Sequence, residues 1–298
     1  MSFIEQERAL FDLLFNTELR EEFLAKRTAA LSSYALSPQE LADFAVIRPD
    51  ALAIDANMRT SMILSQLTRS YPMSMSLLSS LSSGLDSAKT WVNSALMQQA
   101  PKQRPLIFGQ SMATWLKHHS FSSSAEEKLM LNIQEAELSM AWTAANTIEP
   151  TAPIRHSLPQ SWPQQPIRMA ENISAALLPL PYTELKQKLC TATDSQLYRQ
   201  LNKQATSPAV IDELLAQKDR HLLVALACLE SGVCDPVTHH RSLVLNEGFA
   251  PLFQHINGHN SVVEILMQLT QAGANNNIVH SVKAGFEQLL LQGMLKLQ

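Results

Sequence analysis

The chain reads as an α+β protein, a helical N-terminal domain followed by a winged-helix-like α+β C-terminal domain with a small antiparallel sheet. Three observations predict this. The first 150 residues place apolar side chains at helical spacing and hold only two glycines, Gly84 and Gly109. Residues 148–168, IEPTAPIRHSLPQSWPQQPIR, carry five prolines and read as an extended linker. Beyond it, HLLVALACLE (221–230) and HHRSLVLNE (239–247) are short apolar runs separated by Gly232, Asp235 and Pro236, the pattern of a hairpin with a long loop. The expected division is therefore a helical domain over 1–150, a proline-rich linker over 151–170 and a second domain over 171–298.

In order, a first amphipathic helix runs from Ile4 to Phe15, with Phe3, Leu10, Leu13 and Leu14 apolar and Asn16-Thr17 ending it. A second covers Thr17 to Ser32. Ser37-Pro38-Gln39-Glu40 starts a short helix containing Leu41 and Phe44, with proline at the first helical position. From Pro49 to Ser70, Leu52, Met58, Met62, Ile63 and Leu67 recur at helical spacing until Tyr71-Pro72 stops the helix. Asp50 and Asp55 near its start suit the helix N-terminal amides.

Further helices are expected over Pro72–Leu81, Ser87–Gln99, Phe108–His118 and Ser124–Thr147. In the last, Leu131, Gln134, Leu138 and Ala141 share one face while Glu126, Glu127, Glu135 and Glu137 face solvent. Met58, Met62, Met73, Met75 and Met97 read as core filling.

The segment FAPLFQHINGHNSVVEILMQL, residues 249–269, holds His255 and His259 four apart, the spacing of two ligands on one helix face. Asn257-Gly258 between them stops a helix, and Ser261-x-x-Glu264 is a capping box that starts the next. The stretch therefore reads as helix, turn, helix, with the two imidazoles on different elements. A third helix from Asn277 to Gln292, ended by Gly293, and a short strand over Met294–Leu297 complete the second domain.

Among 298 residues, 46% are hydrophobic and only 17% charged, so the surface is either covered in part by a partner or covered by neutral Ser and Gln side chains. A net charge of -4 and a pI near 6.1 argue against general affinity for nucleic acid. No apolar run reaches the 18 residues of a membrane span. Glu5, Glu7 and Arg8 interrupt what would be the apolar part of a secretion signal, and three cysteines without a CxxC suit a reducing compartment, so a cytoplasmic location is expected.

No catalytic constellation stands out. GxSxG, a phosphate-cradling glycine loop and HExxH are all missing. His118-His119 and His239-His240 are adjacent pairs whose rings diverge on any regular element. Cys228, Cys234, His239 and His240 meet around the hairpin loop as a metal or thiol candidate without a common zinc spacing. A binding or scaffold subunit is favoured over a free-standing enzyme.

LFNTELREEFLAKR, IDANMRTSMILSQLTRSYPMSMSLL, PLIFGQSMATWL and AELSMAWTAA follow one another in an order similar to the helical N-terminal domain of a bacterial family once described as DNA-binding. The matching marks are a helix ending at Ser70-Tyr71-Pro72, a Phe-Gly turn at Phe108-Gly109, and a long helix over Glu135 to Ala145. The C-terminal module, ending FEQLLLQGMLKL, is similar to the winged elements by which peptide-modifying systems capture a leader peptide.

Taken together, the chain resembles the MbnC family, accessory subunits in the biosynthesis of the copper chelator methanobactin. The resemblance implies a non-catalytic subunit with no cofactor of its own. Its partners would be an MbnB-type TIM-barrel iron oxidase, which holds the iron and uses O2 to convert cysteines to oxazolone and thioamide groups, and the leader of the precursor peptide.

Strand addition is the expected mode of binding, with the leader pairing along an open edge of the hairpin and its apolar side chains entering a groove beside the third helix. Candidate groove residues are Leu222, Val224, Leu243, Val244, Leu245, Val282, Phe286 and Leu290; the alternative for each is domain core. A related cysteine-bearing peptide as substrate, or a helix-turn-helix regulator built on the Gly258 turn, are the rival readings. The absence of Lys and Arg from Val262–Leu269 weighs against the regulator.

Overall fold

A computed structural model describes residues 3–81, 85–94, 105–147, 151, 154–190, 192, 194–201, 207–229 and 238–298. Gly84, Met97, Cys234, the loop over 231–237, and residues 148–150 and 152–153 of the proline-rich stretch lie outside the described residues. The protein is mostly helical with two three-stranded antiparallel sheets, an α+β fold.

The chain forms two compact units that do not divide at the proline-rich stretch. The first comprises 1–124 and 190–208, the second 125–189 and 209–298. The long helix Ser124–Asn146 therefore belongs largely to the second unit, and a later helix, Asp194–Leu201, packs against helices of the first.

In the first unit, α1 (Phe3–Phe15), α2 (Thr17–Lys26), α3 (Pro38–Ala45) and α4 (Pro49–Ser70) enclose a core that includes Leu13, Phe23, Leu31, Phe44 and Leu52. Asn16 does double duty at the α1–α2 junction, accepting the Leu19 amide at 3.1 Å and so capping α2. A 3-10 turn over Arg27–Leu31 follows. Arg27 adopts a φ of 54°, rare for a residue with a side chain. Its guanidinium donates to the carbonyls of Ala45 and Ile47 at 2.9 Å each, tying the end of α2 to the end of α3.

Helix α4 matches its expected bounds, but its buried face consists of Leu52, Ala56, Thr60, Leu64, Leu67 and Thr68. Met58 and Met62 are 55% and 58% exposed, so they are not core, whereas Met73 and Met75 of α5 (Pro72–Ser80) are fully buried. The period of the helix specifies a stripe. It does not specify which of two moderately apolar stripes faces inward. Asp50 pairs with Arg48, which holds its carboxyl below the usual range, and Asp55 pairs with Arg59 at 3.2 Å.

Helix α6 (Leu85–Val92) and α7 (Pro105–Leu116) complete the run. Gly109 lies inside α7, not in a turn as the resemblance implied. Its Cα sits so close to the buried Tyr71 that an added Cβ would stand 2.1 Å from the phenol oxygen. The two short marks quoted for the resemblance, Ser70-Tyr71-Pro72 and Phe108-Gly109, thus touch each other.

In the second unit, α8 (Ser124–Asn146) buries Leu129, Met130, Ile133, Gln134, Ala136, Glu137 and Met140. That face is turned from the expected one, and Glu137 is buried. Two sheets follow. The first joins β1 (Pro166–Met169), β5 (Asn257–Ser261) and β6 (Leu295–Leu297) in the order β5-β1-β6; the second joins β2 (Ile173–Leu178), β3 (His221–Leu229) and β4 (Thr238–Asn246) in the order β2-β3-β4. Between β2 and β3 in sequence come α9 (Tyr182–Leu189), α10 (Asp194–Leu201), which belongs to the first unit, and α11 (Pro208–Ala216).

Strand β1 arises from within the proline-rich stretch that sequence reading took for a linker. Pro166 occupies its first position, where a missing amide does no harm to the ladder, and Ile167 is fully buried. The closing strand β6 pairs with β1 and not with the β3–β4 hairpin, so the expected single sheet is divided between two. The first of the three expected helices, Glu247–His255, is a 3-10 helix with Pro251 inside it. A proline lacks the amide that an α-helical ladder would need there.

Gly258 has a φ of 84°, as its place after a helix end suggested, but the chain continues there as β5. His255 ends the 3-10 helix and His259 lies on the strand, so the two imidazoles do not share a helix. Helices α12 (Val262–Gln271) and α13 (Asn276–Leu291) close the unit.

The expected capping box at Ser261 is formed, and a second forms at Ser37, where only a helix start was expected. The Glu40 and Ser37 backbone amides and side chains exchange bonds at 3.3 and 2.7 Å, and Glu264 and Ser261 do the same at 3.3 and 2.7 Å. Bonds from each serine's backbone amide, then from its side chain, hold both carboxyls below the ordinary glutamate value of 4.5. A carboxyl depressed in the folded state stabilises the fold above its unfolded pKa, and that contribution is lost as pH falls through the folded value. Ser261→Ala is expected to destabilise the second unit by about 1 kcal/mol near neutral pH. In melts followed between pH 6 and 3, the variant should lose less stability on acidification than the natural protein; parallel losses would show that the Ser261 hydroxyl carries none of the pH dependence.

Candidate peptide-binding edge

Strand β3 is buried along its interior, because it is central in its sheet and both faces are covered. Leu222, Val224, Leu226 and Cys228 point to one side and enter the core that includes Trp162, Ile167, Phe249, Val262, Ile265, Val282, Phe286 and Leu290. Leu223, Ala225 and Ala227 point to the other side and are also buried.

This arrangement decides the status of the eight candidates. Leu222, Val224, Val282, Phe286 and Leu290 are all core residues, and Leu243 and Leu245 pack against that core as half-buried neighbours. The space between hairpin and third helix is filled by the protein's own side chains, so no peptide groove is lined by these seven. Val244 differs. Strand alternation turns it to the opposite face, where it is 36% exposed between exposed Ser242 and Asn246.

What remains available is backbone. Strand β4 pairs with β3 from His221↔Asn246 to Leu229↔Thr238 along its nine residues, and among the described residues no strand pairs with its other side. Alternate N–H and C=O groups of such a strand point away from the sheet, which is the template for an added strand. β2, the opposite edge, has six residues.

The N-terminal half of β4 is anchored. His240 places its Nε2 2.9 Å from the Met140 carbonyl on α8, and Arg241 donates to the Gln292 carbonyl at the end of α13. Burial pushes the His240 pKa down, opposed by the bond to Met140, and because a carbonyl only accepts, Nε2 carries a proton in that bond. His239 is exposed on the other face, opposite Cys228 in the ladder, so the adjacent histidines diverge as expected.

The thiol of Cys228 is buried and donates to the Leu226 carbonyl at 3.5 Å. Among the described residues, no group of three or more His, Cys, Asp and Glu side chains is placed to hold a metal ion, and no helix is long and apolar enough to cross a membrane. The proposed Cys228–His239–His240 cluster depended on Cys234, outside the described residues.

Sequence reasoning missed β2. The signal was present in ISAALL, which alternates Ile173, Ala175 and Leu177 behind the turn-forming Glu171-Asn172, but small alanines weaken the pattern. Without β2, either edge of the hairpin looked open; with it, β4 carries the long one.

Compared with known proteins, the chain matches no family model, and no curated protein and no solved structure is detectably similar to it.

Proposed function

We propose that this chain is a non-catalytic accessory subunit of a heteromeric iron- and O2-dependent complex that modifies cysteines of a ribosomally made precursor peptide to oxazolone and thioamide groups. In this reading it holds the leader as an added strand on β4, and its helical unit holds an MbnB-type oxidase. The order of sequence marks that resembles the MbnC family supports the partner. The observation that carries the peptide-binding role is the nine-residue edge of β4, paired on one side only among the described residues. A DNA-reading role is less well supported, because α12 carries no Lys or Arg and Glu264 stands in its first turn.

Proline scanning of β4 tests the edge directly. Successive amides of an edge strand point alternately to the sheet and away from it, so Leu243→Pro and Val244→Pro must differ. One breaks a bond to β3 and lowers the melting temperature. The other removes only an outward amide and places a ring where the leader would pair. In leader-peptide titrations that second variant should keep its fold and weaken binding by at least about tenfold, the loss expected from one or more backbone bonds at about 1 kcal/mol each plus a steric block. A folded variant with unchanged leader affinity would remove β4 as the binding edge.

A further inference from the structure

The first unit carries a groove that the peptide-binding edge does not use. It lies between α1 and α3, occupies about 290 Å³, and has Phe3, Leu10, Phe44 and Ile47 as its apolar lining. Glu7 on α1 and Asp43 on α3 stand on the same groove, both exposed. Gln6 donates to Asp43 at 3.3 Å, and no Lys or Arg lines the groove or forms an ion pair with either carboxylate among the described residues. Phe3 is 68% and Leu10 42% exposed, and Val46 beside Ile47 is 79% exposed, so the apolar floor continues onto open surface.

An apolar floor with carboxylates on both bordering helices has a definite complement: an apolar side chain flanked by cations. The surrounding charge agrees, since residues 3–70 hold ten acidic and seven basic residues. A nucleic acid or an anionic bilayer would be repelled by the same carboxylates.

We infer that this groove is the docking site for a helical segment of a partner protein that inserts a Leu, Met or Phe between α1 and α3 and places Lys or Arg against Glu7 and Asp43. The inference rests on the reading that the helical unit holds a partner, and names where and by what chemistry.

The probe is a fluorescein-labelled, Ala-based helical 16-mer with Leu at i, i+3, i+4 and i+7 flanked by Lys, and a twin with Glu in place of Lys. By anisotropy, the full-length protein should bind the Lys probe more tightly than the Glu twin. Glu7→Lys with Asp43→Lys should weaken the Lys probe by about tenfold and tighten the Glu twin, because two exposed pairs become two repulsions. Both substituted side chains are exposed, and an unchanged melting curve confirms the fold. Equal affinity of both probes, or no response to the double substitution, overturns the inference. So does binding to phosphatidylcholine–phosphatidylglycerol vesicles that competes with the Lys probe.

Co-expression with an MbnB-type oxidase separates this inference from the reading beneath it. If the oxidase co-purifies equally with natural and doubly substituted protein, the accessory role stands and the groove falls. If it co-purifies with neither, the accessory role falls, and the two probes alone decide whether the groove takes a cationic helix.

Discussion

Phe286→Ala is expected to destabilise the second unit by about 3–5 kcal/mol, the range for emptying a buried phenylalanine site. The ring is fully buried at the centre of the core that β3, the 3-10 helix and α13 share, and it meets the Phe249 ring edge-on at 4.9 Å. The neighbouring Gly285 lets Phe249 approach so closely that an added Cβ would lie 2.6 Å from its ring, so that ring has little freedom to collapse into the vacancy. A loss of this size is comparable with the whole stability of many domains. It would be read from hydrogen exchange of the β1, β5 and β6 amides in the full chain, since two units make a single melting curve ambiguous. The alternative location, an open groove, predicts near-normal exchange and weakened leader binding. That result would contradict the core described above.

Gly109→Ala is the second large effect, and its sign is the opposite of what helix propensity gives. In an exposed helix interior, replacing glycine by alanine gains about 1 kcal/mol. Here the new Cβ would stand 2.1 Å from the Tyr71 oxygen, 2.3 Å from Cζ and 2.8 Å from Cε2. Tyr71 is fully buried and is followed by Pro72, so neither ring nor backbone has room to yield. Overpacking of this kind costs about 1–3 kcal/mol or more, and the net expected loss is about 2 kcal/mol. Tyr71→Phe should not rescue it, because Cζ is as obstructive as the oxygen. Tyr71→Leu, itself destabilising, should make Gly109→Ala nearly harmless, giving a coupling of about 1–3 kcal/mol in a denaturation cycle. Additive losses would mean that the two helices are further apart than described.

These two sites show what was legible in the sequence and what was not. Ser37-x-x-Glu40 and Ser261-x-x-Glu264 could be read as helix starts because a cap is satisfied within four residues. Pro49 and Tyr71-Pro72 bounded a helix for the same local reason, and the apolar runs over 221–230 and 239–247 became β3 and β4 nearly as expected. Phe286 was picked out by periodicity, yet periodicity does not distinguish a side chain lining a groove from one filling a core. Of the eight candidates only Val244 faces outward, and strand parity relative to the second sheet decides that.

The failures share a cause. β1 was hidden among prolines because a four-residue strand with partners at Asn257–Ser261 and Leu295–Leu297 has no local signature; its stability comes from chain more than 80 residues away. The buried faces of α4 and α8 were misassigned because each helix has apolar residues on more than one side, and the choice among them belongs to whatever packs against it.

The sequence by itself therefore determined the α+β class, the helix boundaries set by caps and prolines, and the hairpin, because these depend on interactions within a few residues. Only the tertiary structure decided that the proline-rich stretch supplies a central strand, that the chain crosses between the units at 124–125, 189–190 and 208–209, that Tyr71 needs a glycine at 109, and that β4 is an edge strand among the described residues. Those depend on which distant surfaces exclude water from each other, and burial is proportional to area irrespective of separation along the chain.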